Sequence, residues 1–187
     1  VNTDMPPAKI AIAQFDRIEE LWDPKFWEEW HKDIDRHAFD LKRSPYDHVE
    51  VGAPPVKTPK GWLVVYSHIQ NYFSSPENLD RIFGVEVAVL DFDNPLKILG
   101  RTSGPIFSPR ESYEFLGHVP DVVFPTGAIL KKPVCQLAGG GDTLFVYYGA
   151  SDMTGCVAHV NLNDLLGTIL EDMSSRWRFQ RFKKNPI

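Results

Sequence analysis

PPVKTPKGWLVVYSHIQNYFSSPENLDRIFGVEVAVLDF, residues 54–92, is the stretch on which the fold turns. Prolines and a glycine punctuate it at Pro54-Pro55 and Pro59-Lys60-Gly61. Two runs stand out from this punctuation, GWLVVYSH and VEVAVLDF, both Val-rich and of strand length. The same order of pieces returns about 70–80 residues further on, as an internal repeat would. VVFPT, DTLFVYYG and CVAHVNL follow PPVKT, GWLVVYSH and VEVAVLDF, matching Thr58 to Thr126, Leu63 to Leu144 and Ala88 to Ala158. A fourth piece extends the match: LGRTSGPI, ending at Ile106, pairs with QRFKKNPI, ending at Ile187. Each unit therefore holds four strands. The spacing differs because loops differ, QNYFSSPENLDRIF in the first unit and LKKPVCQLAGGG in the second.

Four short strands per unit with turn residues between them predict an all-β protein, with no helix beyond about four turns. Antiparallel blades of a β-propeller are the first expectation, and two β-sandwich halves are the other. Ahead of the first full unit, KIAIAQF and HAFDLKR read as the last two strands of an earlier blade. Phe26, Trp27 and Trp30 in the linker between them share one face of a helical turn. The expected division is a half blade with linker over 8–52, a full blade over 53–106 and another over 121–187. About two and a half blades cannot close a ring of four to eight. Open edges and an exposed face then call for a second copy or another chain, so a homo-oligomer or a missing partner segment is expected.

Composition narrows the function classes. At 187 residues the chain is long enough to bury one sizeable core. Twenty Lys and Arg against 25 Asp and Glu leave a net charge of −5, which argues against a nucleic-acid partner. The apolar runs fall far short of the ~20 residues a membrane helix needs. VNTDMPPAKIAIAQF lacks the layout of a secretion signal, and Cys135 with Cys156 makes no disulfide framework, so a reduced, cytoplasmic setting is expected. The six histidines show no ligand spacing, and no metal is expected. Gly139 to Asp142, GGGD, reads as a hairpin turn and is too short for a nucleotide loop.

Taken in order, PPVKTPKGWLVVYSH, VAVLDFDNPLKILGRT, YEFLGHVPDVVFPTG and VYYGASD closely resemble the later blades of glycoside hydrolase family 130, from about residue 8 to 170. The resemblance implies a five-bladed propeller acting on β-mannosides. It implies phosphorolysis first and, in some branches, hydrolysis. The closing FKKNPI resembles the family's opening blade. The motif that carries the family's catalytic Asp is not found, so the proton donor is expected from outside this chain. Where the family has Asn before VVFP this sequence has Asp121, and where it has YHG this sequence has Tyr66-Ser67-His68.

Candidate residues follow from the chemistry and the resemblance together. Lys57 ends the first strand of a blade, where a cation can hold phosphate. His68 is a second phosphate candidate. For each the alternative is structural: a solvated edge lysine and a core histidine. Asp152 in VYYGASD resembles a family aspartate that binds sugar hydroxyls, and a carboxylate suits the vicinal pair of mannose. An Asx turn in SDMTG is its other reading. Glu114 and Asp121 flank His118 at the polar ends of DVVFPT, either lining a channel or capping a turn. Tyr72, Phe124 and Tyr148 are candidates for stacking on a sugar face, with Phe73 and Tyr147 beside them, although most aromatics in such a chain are core.

An inverting phosphorylase needs an acid on the leaving oxygen and cations that steer phosphate onto the anomeric carbon. Lys57 leans the expectation towards phosphorolysis giving mannose 1-phosphate, with phosphate as co-substrate and no other cofactor. A β-mannoside hydrolase is the alternative, as is a catalytically silent half-propeller that binds glycans.

Overall fold

The computed structural model describes residues 9–73, 80–131, 142–171 and 183–186. Three antiparallel sheets follow one another along the chain. The loops QNYFSSPENLDRIF and LKKPVCQLAGGG, the GGG of the expected hairpin turn and Cys135 lie wholly or largely outside the described residues.

The first sheet is the smallest. Its strands β1 (Ile10–Ala11) and β2 (Ala38–Phe39) pair through Ile10 with Phe39 and Ala11 with Ala38. Between them the helix α1 (Pro24–Lys32) is started by Asp23, whose side chain accepts from Lys25 N at 2.9 Å, and by Pro24 in its first turn. Its aromatic face holds Phe26, Trp27 and Trp30 edge to face, and Trp30 Nε1 donates to Ile12 O at 3.1 Å. That bond ties the helix to the end of β1.

The middle sheet contains β3 (His48–Val51), β4 (Val56–Thr58), β5 (Gly61–Gln70), β6 (Ile82–Leu90) and β7 (Ile98–Arg101). β3 and β4 share one edge of β5, interrupted at Gly52 to Pro55, where the two prolines have no N–H to donate. Gly52 fits there because a Cβ would stand 2.2 Å from Pro125 Cγ of the last sheet. Residues 48–51, which the sequence reading grouped with the first half blade, thus pair into the middle sheet.

The last sheet orders β8 (Val123–Leu130), β9 (Thr143–Ala150), β10 (Thr154–Asn161) and β11 (Lys183–Pro186) as β11-β10-β9-β8. β8 bulges between Pro125 and Gly127, again where a proline cannot donate. The short helix α2 (Ser112–Phe115) lies in the connector before it. Helix α3 (Leu162–Glu171), which the sequence reading did not anticipate, follows β10 and buries Leu162, Leu165, Leu166 and Ile169 at i, i+3, i+4, i+7.

Alternation sorts the core into two layers. Odd residues of β5 and β6 (Leu63, Val65, Val85, Val87, Val89) meet Leu144, Val146, Tyr148 and Ala158 of the last sheet. Even residues (Val64, Tyr66, Ala88, Leu90) meet Ile10, Phe39 and Leu41 near the first sheet. β5 is therefore buried on both faces and reads as a continuous apolar run, whereas β9 alternates because one face is open. The matched landmarks fare unequally. Val64 pairs with Ala88 and Val146 with Ala158, so the Ala88/Ala158 match holds. Leu63 and Leu144 instead sit on facing sides of neighbouring sheets, a one-residue slip that reverses the face.

Candidate functional site

Two groups of polar side chains sit where the second strand of a sheet hands over to the third. In the middle sheet, Glu86 is fully buried and takes both ends of the Arg43 guanidinium, Nη1 to Oε1 at 2.5 Å and Nη2 to Oε2 at 2.8 Å. Arg43 Nη2 also donates to Thr102 O at 2.6 Å. Tyr66 Oη donates to Glu86 Oε2 at 2.8 Å, and His68 Nδ1 lies 3.0 Å from Glu86 Oε1. The other ring nitrogen of His68 lies 3.1 Å from Asp47 Oδ2. Asp47 in turn gathers the amides of Arg43, Ser44 and Asn71. Burial on its own would raise the Glu86 carboxyl, but His68 and then Arg43 outweigh it and hold its pKa below the usual range. Desolvation, reinforced by Glu86, pushes the Tyr66 phenol well up.

In the last sheet the connector supplies the charge. Glu111 and Glu114 form a capping box on α2, and Glu114 Oε2 accepts from the amides of Arg110 at 2.6 Å and Glu111 at 2.9 Å. Its other oxygen accepts from Tyr148 Oη at 2.8 Å. Burial and then the bond to Glu114 push the Tyr148 phenol far up. Past this point the connector runs against the β9–β10 hairpin tip. Ser151 and Asp152 take φ of 48° and 54°, and Met153 N donates to Ala150 O at 3.1 Å, a turn of the type I′ kind built without glycine. Ser151 N donates to Val122 O at 2.9 Å, and Val119 N donates to Ser151 O at 3.4 Å. Asp152 itself is exposed.

The sequence candidates separate accordingly. Asp152 and Asp121 are both exposed, both with positive φ, on the hairpin tip and on the connector beside it. Lys57 is exposed at the opposite end of the middle sheet, its Nζ 5.9 Å from the Trp62 ring centroid and 5.7 Å from that of Phe92. Its strand partner Trp62 is six residues from His68, about 20 Å at the rise of a strand, so the two phosphate candidates are not brought together. His68 is 1% exposed between two carboxylates, which leaves an anion neither access nor attraction. Glu114 and Tyr148 are likewise interior and bonded to each other, with Tyr148 packed on Phe107 at 5.0 Å. The core and capping alternatives fit these three. Phe124 pairs with Gly149 on the open face, opposite to Tyr148. Tyr72 stacks on His48 at 4.5 Å with the Arg81 guanidinium 5.0 Å above its ring, half-buried at the start of the β5–β6 loop.

Arg43, Asp47 and Glu86 were not singled out from the sequence. Arg43 and Asp47 lie in a connector with no motif, and only the pairing of Tyr66 with Glu86 across β5 and β6 makes a site of them. Among the described residues no group of three or more His, Cys, Asp or Glu is arranged to hold a metal, and no helix is long and apolar enough to cross a membrane.

The sequence is similar to phosphorylases of β-linked mannosides. A 1,2-beta-oligomannan phosphorylase of Thermoanaerobacter is 32% identical over 63% of this chain and 34% of its own length. A beta-1,2-mannobiose phosphorylase of Listeria innocua is 37% identical over 65% of this chain and 30% of its own. A beta-1,4-mannooligosaccharide phosphorylase of Ruminococcus albus is 25% identical over 80% of this chain and 40% of its own. The chain thus spans about a third of the length of the curated relatives it matches. The solved Listeria innocua beta-1,2-mannobiose phosphorylase, in complex with beta-1,2-mannobiose, superposes with a TM-score of 0.54, at 31% identity over 71% of this chain and 34% of that one. Residues 23–171 match the model of glycoside hydrolase family 130, described as beta-1,4-mannooligosaccharide phosphorylase. The chain belongs to this family.

Proposed function

We propose that this chain is part of a five-bladed β-propeller that cleaves β-mannosides by inverting phosphorolysis, releasing mannose 1-phosphate. On this reading the three sheets are a half blade and two blades, with the first boundary moved from residue 52 to about 47 because β3 pairs with β5. Further blades, from the rest of a longer chain or from another copy, complete the ring. The open face of β9 and β10, with Phe145, Tyr147 and Val157 half-buried and Ile129 exposed on β8 beside them, supports such a neighbour.

The observation that carries the reading is the β9–β10 tip, where VYYGASD presents an exposed Asp152 carboxylate on a turn held by main-chain bonds. A carboxylate so fixed accepts from two vicinal hydroxyls of mannose and orients the sugar for attack. Lys57, held by two aromatic faces, stands at the strand end away from this tip and does not reach a sugar on Asp152 of the same chain, so the phosphate contacts are assigned to residues outside those described. Asp121 and Phe124 on the same connector and strand, and Tyr72 at its loop, are proposed sugar contacts. The acid that protonates the leaving oxygen lies outside these residues, and phosphate is the only co-substrate.

Supplying β-linked manno-oligosaccharides to the full-length gene product, with and without phosphate, tests this. Mannose 1-phosphate should form only with phosphate. Asp152→Ala should lower kcat at least tenfold for every β-mannoside, whereas Lys57→Ala, at the far strand end, should leave the KM for phosphate within about twofold. Free mannose without phosphate would favour the hydrolytic branch, and no turnover at all the silent glycan-binding module.

A further inference from the structure

Resting on the reading of Asp152 as a sugar contact, we propose that the connector 116–122 is a positioning clamp for that residue and that Gly117 is its key. Two adjacent residues at the tip break local rules. Ser151 and Asp152 hold left-handed φ without being glycine, and the Ser151 hydroxyl is buried with no partner among the described residues. Neither feature serves stability, since a left-handed non-glycine backbone and an unpaired buried hydroxyl both cost free energy. Local rules broken together are the mark of a geometry kept for use.

What holds the geometry is the connector. It grips Ser151 by both main-chain groups, taking its N–H on Val122 O and giving the Val119 N–H to its carbonyl. Gly117 closes the grip sterically: a Cβ there would stand 2.2 Å from Ser151 O and 2.5 Å from Ser151 Cβ. Those neighbours are backbone and a first side-chain carbon, which cannot swing aside. The connector is anchored in turn by Glu114, bonded to the α2 amides and to Tyr148 on β9. Asp152 therefore inherits its position from a loop that does not touch its carboxylate in any described contact. Gly117 is in this sense a positioning residue.

The test is a double-mutant cycle in the full-length gene product, read as phosphorolysis of a β-linked manno-oligosaccharide. Gly117→Ala should lower kcat at least tenfold at a temperature where the variant is still folded, leave the KM for phosphate within twofold, and cost less than twofold further on an Asp152→Ala background. An equal loss in both backgrounds would make Gly117 merely structural, and full activity of a folded Gly117→Ala protein would also overturn the clamp. Should Gly117→Ala fail to fold, Glu114→Gln loosens the anchor of the connector without adding an atom against the turn. It should lose several-fold in kcat, again only when Asp152 is present; no loss, or the same loss without Asp152, would overturn the clamp. If Asp152→Ala alone leaves turnover intact, the fault lies with the reading of Asp152 as a sugar contact.

Discussion

Tyr66 and Tyr148 occupy the same place in two successive sheets, and the sheets satisfy them from opposite sources. Each lies two residues beyond a Val–Ala pair, Val64–Ala88 in one and Val146–Ala158 in the other, and each gives its hydroxyl to a buried glutamate at 2.8 Å. Cross-strand from Tyr66 is Glu86 itself, so the sheet brings the anion and the connector before it brings Arg43. Cross-strand from Tyr148 is Cys156, so the sheet brings no charge and the connector brings Glu114. A buried phenol needs an acceptor, and a buried carboxylate needs donors. The connectors complete the polar interior of each sheet, and their residues answer to what the strands lack.

The difference should be measurable. Glu86→Gln strips the anion from Arg43 and His68 inside the core, and removing one partner of such a buried pair should cost about 3–5 kcal/mol in chemical denaturation. Glu114→Gln keeps an amide oxygen for the two backbone amides and turns its NH2 to the phenol, which can accept instead of donate, and should cost only about 1–3 kcal/mol. Equal losses would erase the contrast between the sheets.

Acid sharpens it further. The Glu86 pKa is lowered in the folded protein, so its stabilisation is present above the ordinary carboxylate value of about 4.3 and is lost as pH falls through the folded value. The stability gap between the unmodified protein and Glu86→Gln should therefore narrow when denaturation is repeated at progressively lower pH, below about pH 4. A gap that stays constant, or widens, would contradict the assignment of Arg43 and His68 as its stabilising partners.

Much of the strand order was legible because buried strands advertise themselves as Val-rich runs between prolines and glycines, as in GWLVVYSH and VEVAVLDF. Register was less so. Ala88 and Ala158 match in three dimensions while Leu63 and Leu144 do not, since a period of two makes a one-residue slip invisible in an apolar run. Helix α3 was missed although Leu162, Leu165, Leu166 and Ile169 carry a helical period directly after the strand CVAHVNL. Of the candidate residues, Asp152 was named from the motif VYYGASD, and the structure adds only that it is exposed on a hairpin tip. His68, Glu114 and Tyr148 were misplaced because polarity alone does not tell a ligand contact from a buried network. Arg43 and Gly117 were silent, because what gives each its role is a neighbour some 30 to 60 residues away: Glu86 and Thr102 for the first, Ser151 for the second.

The most direct measurement is proton NMR of the first sugar phosphate formed when the full-length gene product meets a β-linked mannobiose and inorganic phosphate. Attack of phosphate on the face opposite the leaving oxygen inverts the anomeric centre, so the account predicts α-mannose 1-phosphate as the initial product, formed only when phosphate is present and greatly slowed in Asp152→Ala. A β-configured sugar phosphate, or free mannose released at the same rate without phosphate, would contradict it.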